Sequence, residues 1–182
     1  MVILVGASAS GKTEVARFLK NKYGLTKVVT HTTRVKREHE VDDVDYHFVT
    51  KEKFDSLKAE NYFVETTLYN GNSYGTSRKE IDDNKVLIVD PNGLRAFISL
   101  KDKRIVTFFM NADEPTRIKR MLIRGDSQPA IDARIANDRE DFSFKNVGRT
   151  DFVVDTENKN IEEVADSVYK LYIAKLSLIG SN

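Results

Sequence analysis

Short, continuous runs of apolar residues recur along the chain. Runs of this kind are typical of strands that are buried on both faces of a sheet. Five of them lie at 2–5, 27–30, 85–90, 104–110 and 151–155. Because they alternate with segments of helical periodicity, they predict a parallel sheet covered by helices on both faces, which is an α/β fold.

The helical segments are recognised by apolar residues three or four positions apart, on one face of a helix. Four helices are predicted in this way, marked by Val15, Phe18, Leu19 and Tyr23, by Ile118, Met121 and Leu122, by Ile131, Ile135 and Phe142, and by Ile161, Val164, Val168 and Leu171. The chain therefore begins with a strand, a glycine-rich turn and a helix, in that order.

The stretch from 31 to 77 interrupts the alternation. It contains the strand-like segments VDYHFV and FVETTLY on either side of a helical piece, KFDSLK, and it has a turn at Gly71 and Asn72. We predict a small mixed α/β insertion, 31–77, at the edge of a core made of 1–30 and 78–182. The whole chain has 182 residues, which suits a single domain.

The balance of basic and acidic residues argues against two classes of protein, those that bind nucleic acid and those that bind membrane surfaces. The 29 basic and 28 acidic side chains give a net charge of +1. Proteins that bind nucleic acid or membrane surfaces usually carry an excess of lysine and arginine, so neither partner is predicted. The absence of cysteine excludes disulfides and thiolate metal sites. With no apolar span of about 18 residues and no signal segment, we expect a cytoplasmic protein.

A phosphate-binding loop joins the first strand to the first helix. The sequence GASASGKT has the spacing G-x-x-x-x-G-K-[ST]. In such a loop the backbone N–H groups surround the phosphates of a nucleoside triphosphate, the lysine reaches the β and γ oxygens, and the hydroxyl binds Mg²⁺. The predicted donor site comprises Gly6, Ala7, Ser8, Ala9, Ser10, Gly11, Lys12 and Thr13, with Thr13 as the metal ligand.

A second set of polar residues follows other predicted strands. Arg34 and Arg37 lie beyond the carboxyl end of the run at 27–30, where ligands bind in open α/β sheets, so both can face the loop across a cleft. Two spaced arginines alone are more typical of a solvated surface. Polar groups at other strand and turn ends favour a second site, namely Tyr46, Glu65, Tyr74, Thr76 and Asp90.

Several segments follow one another in a characteristic order: GASASGKT, THTTRVKR, EVDDVDYHF, FVE, YNGNSYGTS, VDPNG, RMLIRGD and DFVVD. This order resembles guanylate kinase over essentially the whole chain, and the combination of TTR, E, DYHF and YGTS is highly specific for that family. The resemblance implies a P-loop enzyme that transfers the γ-phosphate of ATP to GMP. It also implies a three-layer core with a parallel five-stranded sheet, a GMP-binding insertion and a helical lid.

The resemblance implies which residues hold the phosphate of GMP. They match Arg34, Arg37, Tyr46 and Tyr74. Arginine forks suit a dianionic phosphate because they bind it bidentately.

The resemblance also implies a site for the guanine base. The glutamate matching Glu65 accepts hydrogen bonds from the guanine N1–H and N2 amino groups. Adenine has no hydrogen on N1 and would leave that carboxylate unpaired, so this contact can discriminate strongly between guanine and adenine. Thr30 and Thr76 match hydroxyl positions that contact the base, and Asp90 matches an acidic one.

Further arginines are implied on the side of ATP. Those matching Arg124 and Arg134 flank a mobile lid, about 124–137, and Arg120 matches a residue on the donor side. Arg117 is expected at the surface, since it begins a stripe of arginines on one helix face. The implied catalytic residues are Lys12, Arg34, Arg124 and Arg134, with Mg²⁺ as cofactor.

The chain departs from the family pattern at a few positions. Ile88 stands where family members usually carry an acidic residue near the metal's water shell. Ala7 and Ala9 replace the usual proline and glycine of the loop. These differences leave two alternatives open: a nucleotide-binding module with weak or no turnover, and a kinase of the same fold for another phosphorylated acceptor.

Overall fold

The computed structural model describes residues 1–69, 71–157 and 159–180 of the chain. Its strands, in chain order, are β1 (Val2–Val5), β2 (Thr26–Lys27), β3 (Thr30–Thr32), β4 (Tyr46–Phe48), β5 (Phe63–Tyr69), β6 (Asn72–Ser77), β7 (Lys85–Ile88), β8 (Val106–Asn111) and β9 (Phe152–Asp155). Its α-helices are α1 (Lys12–Tyr23), α2 (Lys51–Ala59), α3 (Pro91–Ser99), α4 (Glu114–Ile123), α5 (Gln128–Asp141), α6 (Phe144–Val147) and α7 (Ile161–Gly180).

The predicted five-stranded parallel sheet is present. Its strands lie in the order β2-β7-β1-β8-β9, and every neighbouring pair is parallel. β1 is at the centre, and all four of its side chains are fully buried. This is why the first run of the sequence is apolar without interruption.

The side chains of β1 alternate between two apolar layers. Val2 and Leu4 pack with α1 and α7, whereas Ile3 and Val5 pack with α3 on the opposite face. The sheet is therefore covered by helices on both sides, as the periodicity predicts. The sequence pattern did not identify α3, which begins after Asp90 caps its N-terminus through a hydrogen bond from the Gly93 N–H at 2.7 Å.

The residues between β2 and β7 form a second sheet with the order β4-β3-β6-β5. The run at 27–30, predicted as one strand, is divided between the two sheets. Thr26 and Lys27 pair with β7, while Thr30 begins β3 beside β4 and β6. The chain thus crosses from the core to the second sheet between Lys27 and Thr30, inside a run that contains no glycine or proline to mark the change. The exact bounds of the insertion, 31–77, stay a prediction.

Among the described residues, no helix combines the length and the apolar character needed to cross a membrane.

His31 of β3 is buried in an aromatic cluster of the second sheet. Its side chain is 7% exposed, and its ring lies 4.4 Å from the His47 ring and 5.3 Å from the Phe63 ring, between centroids. Within the described part of the chain, its Nδ1 has no hydrogen-bond partner. Burial, together with the neighbouring His47, lowers the pKa of His31 from 6.5 to about 4.

Acidification is therefore expected to destabilise the protein through His31. The unfolded chain takes up the proton near pH 6.5, whereas the folded chain resists it until about pH 4, so stability falls as the pH drops through that interval. Between pH 7 and pH 5 the expected loss in the free energy of unfolding is about 2 kcal/mol. Urea unfolding of wild type and His31→Phe at both pH values measures it.

The exposed His39 provides a matched control for this pH effect. His39→Gln should retain the wild-type pH dependence, whereas His31→Phe should lose about 2 kcal/mol of it. An unchanged dependence in His31→Phe would contradict the assignment.

Candidate active site

The phosphate loop, residues 6–13, connects β1 to α1 at the carboxyl end of the central strand. Gly6 and Gly11 have φ angles of +155° and +92°. A Cβ atom on Gly6 would lie 2.4 Å from the carbonyl oxygen of Met110 and 2.9 Å from Ser10 Oγ, so only glycine fits there. The loop shape is thus set by glycine and by the close approach of β8.

Ala9 adopts the left-handed conformation that glycine usually supplies, with φ +60°. Such a conformation costs about 1–2 kcal/mol for an L-residue. Two contacts offset this cost: the methyl group packs against an apolar cluster of α4 and α5 that includes Met121 and Ile131, and the Ala9 carbonyl accepts a hydrogen bond from Arg120 Nη1 at 3.2 Å. Neighbouring helices therefore stabilise the loop where a glycine is missing.

Lys12 folds back over the loop. Its Nζ donates to the carbonyl oxygens of Gly6 at 2.6 Å and Ala7 at 2.8 Å, and lies 3.4 Å from Ser10 Oγ. Burial lowers the pKa of Lys12 to about 8, while the Asp138 carboxylate opposes this change. The ammonium group is held beside the N–H groups that would surround a phosphate.

A cavity of about 480 Å³ opens beside this loop. Loop residues from Ala9 to Thr13 line it together with Arg120 and Arg124. Arg120 also donates to Thr156 Oγ1 at 3.1 Å and to the Thr156 carbonyl, which ties helix α4 to the end of β9. We call this cavity the donor pocket.

Two residues of the donor pocket, Thr156 and Lys159, were missed by sequence reasoning. They follow β9 and carry no motif of their own. Only the position of β9 beside β8 brings them to the loop.

A second cavity, of about 210 Å³, unites five of the residues predicted for the acceptor. They are Thr30, Glu65, Tyr74, Thr76 and Asp90, and Thr67 joins them. We call this cavity the acceptor pocket. Its members come from β3, β5, β6 and the N-terminus of α3, so the second sheet and the core both contribute.

Glu65 and Thr76 are opposite each other on paired strands. Thr76 Oγ1 donates to Glu65 Oε1 at 2.7 Å. Burial raises the pKa of Glu65, and the nearby Asp90 charge acts in the same direction. A half-buried carboxylate with a fixed orientation is suited to accept hydrogen bonds from N–H groups of a planar ligand.

Arg34 lies over the ring of Tyr46, 5.3 Å from its centroid, and it hydrogen-bonds with Tyr74, which lines the acceptor pocket. Its Nη2 is 2.6 Å from Glu40 Oε1, and this pairing holds the pKa of Glu40 down at about 2. Glu40 begins the segment EVDDVDYHF on which the resemblance rests, but it was not predicted as a site residue. Arg37 is exposed, and its backbone N–H donates to Glu40 Oε2 at 2.8 Å. The structure therefore places Arg34 at the site but leaves the Arg37 side chain at the surface.

A third cavity, of about 540 Å³, shares lining residues with both pockets. Thr13 lines both this cavity and the donor pocket, and Thr30 lines both this cavity and the acceptor pocket. Tyr46 and Ile88 are also at its wall. We call it the connecting cleft. The connecting cleft therefore borders both the donor pocket and the acceptor pocket.

The two implied lid arginines, Arg124 and Arg134, share one acidic partner. Arg134 Nη1 is 2.7 Å from Asp126 Oδ2, and Arg124 pairs with the same carboxylate, lowering the pKa of Asp126. Asp126 was missed by sequence reasoning. Arg124 lines the donor pocket, whereas Arg134 is outside its lining and is linked to Arg124 through this shared carboxylate.

The expectation that Arg117 lies at the surface is wrong. Its side chain is 8% exposed, and Nη1 is 2.7 Å from Asp138 Oδ2 on α5. The arginine stripe of α4 does not face solvent at this end, because α5 and the phosphate loop pack over it.

A phosphate loop after the central strand of a parallel sheet defines a P-loop nucleotide-binding protein, here with a second polar pocket in the same cleft. The family model described as guanylate kinase matches residues 1–174, and the chain belongs to the guanylate kinase family.

Curated relatives and a solved structure agree with this placement. The chain is 30% identical to the guanylate kinase of Anaplasma phagocytophilum, with 96% of this chain and 86% of that protein covered. It is 35% identical to the guanylate kinase of Neisseria gonorrhoeae, over 76% of this chain and 72% of that protein. The crystal structure of guanylate kinase from A. phagocytophilum superimposes with a TM-score of 0.64 at 28% identity, covering 96% of this chain and 85% of that one. The resemblance identified from the sequence is confirmed.

Proposed function

We propose that this protein transfers the γ-phosphate of ATP to GMP, giving ADP and GDP. The observation that carries the proposal is the connecting cleft, which borders both the phosphate loop and a pocket containing a half-buried carboxylate. Membership of the guanylate kinase family supports the same reaction. The donor and acceptor phosphates would meet between Thr13 and Thr30.

On the donor side, we assign Lys12 to the β and γ oxygens of ATP and the loop N–H groups to the remaining phosphate oxygens. Arg120 and Arg124 face the same pocket. Arg124 and Arg134 would exchange their shared partner Asp126 for phosphate oxygens when the lid, about 124–137, closes.

On the acceptor side, we assign Arg34, Arg37, Tyr46 and Tyr74 to the GMP phosphate. The Arg34 guanidinium is already oriented by Glu40, but the Arg37 side chain would have to turn inward from its exposed position. Glu65 would accept hydrogen bonds from guanine N1–H and N2, with Thr30, Thr76 and Asp90 beside the base.

No general base is required for this reaction. The second pKa of a phosphate monoester is near 6, so the attacking oxygen of GMP is largely deprotonated at neutral pH. The barrier arises from bringing two anionic groups together, which fixed cations lower by positioning and electrostatic stabilisation. Lys12, Arg34, Arg124 and Arg134 supply those charges.

A nucleotide kinase of this family needs a divalent metal, and we propose Mg²⁺. Within the described ranges, no three His, Cys, Asp or Glu side chains are grouped to hold a metal. This fits Mg²⁺, which in such sites binds few protein ligands and keeps waters and substrate phosphates. Thr13 at the start of α1 would be the protein ligand. Mg²⁺ would neutralise phosphate charge, and Ile88 adds no carboxylate to its water shell.

The decisive test is a substrate panel. We expect rapid ADP formation when the purified protein receives ATP, Mg²⁺ and GMP, and turnover at least about 10²-fold lower with AMP, CMP or UMP, because only guanine satisfies Glu65. A coupled assay for ADP measures all four reactions. The proposed substrates are cytoplasmic metabolites, and we propose a cytoplasmic location.

Calorimetry on the same preparation separates the outcomes. GMP binding without ADP formation would show a nucleotide-binding module and overturn the proposed catalysis. Faster turnover with another monophosphate would overturn the acceptor assignment instead.

A further inference from the structure

A carboxylate on helix α5 binds the phosphate loop directly. Asp138 Oδ2 accepts a hydrogen bond from the Ser8 N–H at 2.9 Å, and Oδ1 accepts one from Ser8 Oγ at 3.1 Å. Oδ2 also accepts a hydrogen bond from Arg117 Nη1 on α4 at 2.7 Å. Asp138 is 7% exposed and Arg117 is 6% exposed. One buried ion pair therefore joins two helices to the second variable position of the loop.

Stability alone does not account for this pair. Buried ion pairs are often no more stabilising than apolar residues of similar volume, because both charges lose their hydration. The Arg117 Nε is buried and, among the described residues, has no hydrogen-bond partner, which adds to that cost. What the pair does supply is a fixed acceptor for the Ser8 backbone and hydroxyl.

The loop needs such support from outside. Ala9, next to Ser8, has a left-handed conformation that glycine would adopt more readily. Arg120 and the apolar cluster of α4 and α5 hold Ala9, and Asp138 holds Ser8. The same two helices thus fix two consecutive loop residues.

Both members of the pair also contact the phosphate loop as charged groups. Asp138 binds the N–H and the hydroxyl of Ser8, and Arg117 Nη1 lies 3.4 Å from the Ser8 carbonyl oxygen. Their charges therefore lie beside the loop at which the triphosphate would bind. Without Arg117, Asp138 would be a bare negative charge beside an anion site.

We propose that Arg117 and Asp138 are positioning residues for the phosphoryl donor. Asp138 holds Ser8 so that the loop keeps the shape that binds the triphosphate, and Arg117 orients Asp138 and cancels its charge. This inference rests on the proposed function for the identity of the donor, ATP.

The double variant Arg117→Leu with Asp138→Ala tests the proposal most directly. It replaces the ion pair by apolar groups, so the midpoint of thermal unfolding should stay within about 4 °C of wild type. The Kd for Mg²⁺-ATP should nevertheless rise roughly 10-fold or more, because the loop is no longer fixed. The Kd for GMP should change by less than about twofold, since the acceptor pocket is untouched. Calorimetry with each nucleotide gives both values.

The single variants test the electrostatic part. Arg117→Leu leaves an unpaired carboxylate beside the loop, so its loss of ATP affinity should exceed that of Asp138→Asn. A merely structural pair would lower the unfolding temperature in both and leave nucleotide affinities of the folded protein unchanged. That outcome, or an equal loss of GMP and ATP affinity, would overturn the proposal.

Arg139 and Glu114 provide the matched control. They form a second ion pair between the same helices, at 2.6 and 2.9 Å, but are more exposed. Arg139→Leu should leave ATP affinity within about twofold of wild type. A loss equal to that of the double variant would also contradict the positioning role.

These measurements are independent of phosphoryl transfer. If the wild type binds ATP but does not phosphorylate GMP, the proposed function fails while the positioning role is still decided by ATP affinity. If the wild type does not bind ATP, both fail.

Discussion

Lys12→Met is expected to reduce ADP formation by about 10³-fold or more, because a fixed cation at the β and γ oxygens is lost. Methionine keeps the apolar stem but cannot stabilise the charge that develops during transfer. The folded structure should persist. Two hydrogen bonds to loop carbonyls disappear, but so does the cost of burying an ammonium group, and we expect a change of less than about 2 kcal/mol in the free energy of unfolding.

Steady-state kinetics and urea unfolding of the same preparation test this prediction. Retention of more than about a tenth of wild-type turnover would contradict the role of Lys12. Lys170→Met, exposed on α7 and away from the residues that line the three cavities, is the control and should remain active.

The pH dependence of ATP binding tests the proposed phosphate-binding role of Lys12 independently. With a pKa near 8 in the nucleotide-free protein, the ammonium loses its proton as the pH rises from 7 to 9. The Kd of wild type for ATP should therefore increase by up to about tenfold over that range, whereas Lys12→Met should show no such increase.

The phosphate loop could be predicted from the sequence because its geometry is local. Gly6, Gly11, Lys12 and Thr13 act within eight consecutive residues, and the preceding apolar strand and following helix confirm the context. Even the strained position was foreseeable, since Ala9 stands where the family has glycine. The local pattern did not show what stabilises the strained residue. The stabilising contacts come from helices α4 and α5.

The partners of the charged residues could not be predicted, because they depend on contacts across the fold. Asp138 meets Ser8 across 130 positions of sequence, and Thr156 meets Arg120 across 36. Helical spacing grouped Arg117 with a polar stripe, but spacing does not reveal what packs against a helix, and Arg117 is buried on α4 together with Met121. Its burial follows from where α5 lies.

Polar groups at strand and turn ends favoured a second site, but only the resemblance assigned these residues to the phosphate and base of an acceptor. Glu65 and Thr76 are opposite each other only because β5 and β6 pair, with a register shift between Phe63 and Glu65. Asp90 reaches the same pocket from the core sheet. The β-branched and aromatic residues of β5 predict a strand, but they do not show that this carboxylate is enclosed.

Glu65→Gln is expected to lower kcat/KM for GMP by roughly 10³-fold while leaving the Kd for ATP within about twofold of wild type. The carboxylate can accept two hydrogen bonds from guanine N1–H and N2, whereas an amide presents one acceptor and one donor, and the donor opposes a guanine N–H. Thr76 Oγ1, 2.7 Å from Glu65 Oε1, fixes the orientation of the group, so the amide is poorly placed to rotate away.

Inosine monophosphate makes the test specific to hydrogen bonding. It lacks the N2 amino group, so wild type should prefer GMP strongly, and Glu65→Gln should lose most of that preference because one of the two acceptors is gone. Glu60→Gln, an exposed change at the end of α2, should keep the wild-type preference. Equal losses for GMP and ATP, or an undiminished preference for GMP over inosine monophosphate in Glu65→Gln, would show that Glu65 does not read the base. Selectivity would then have to come from the arginines and tyrosines around the acceptor phosphate. Because every nucleoside monophosphate carries that phosphate, these residues could not make the protein a guanine-specific kinase.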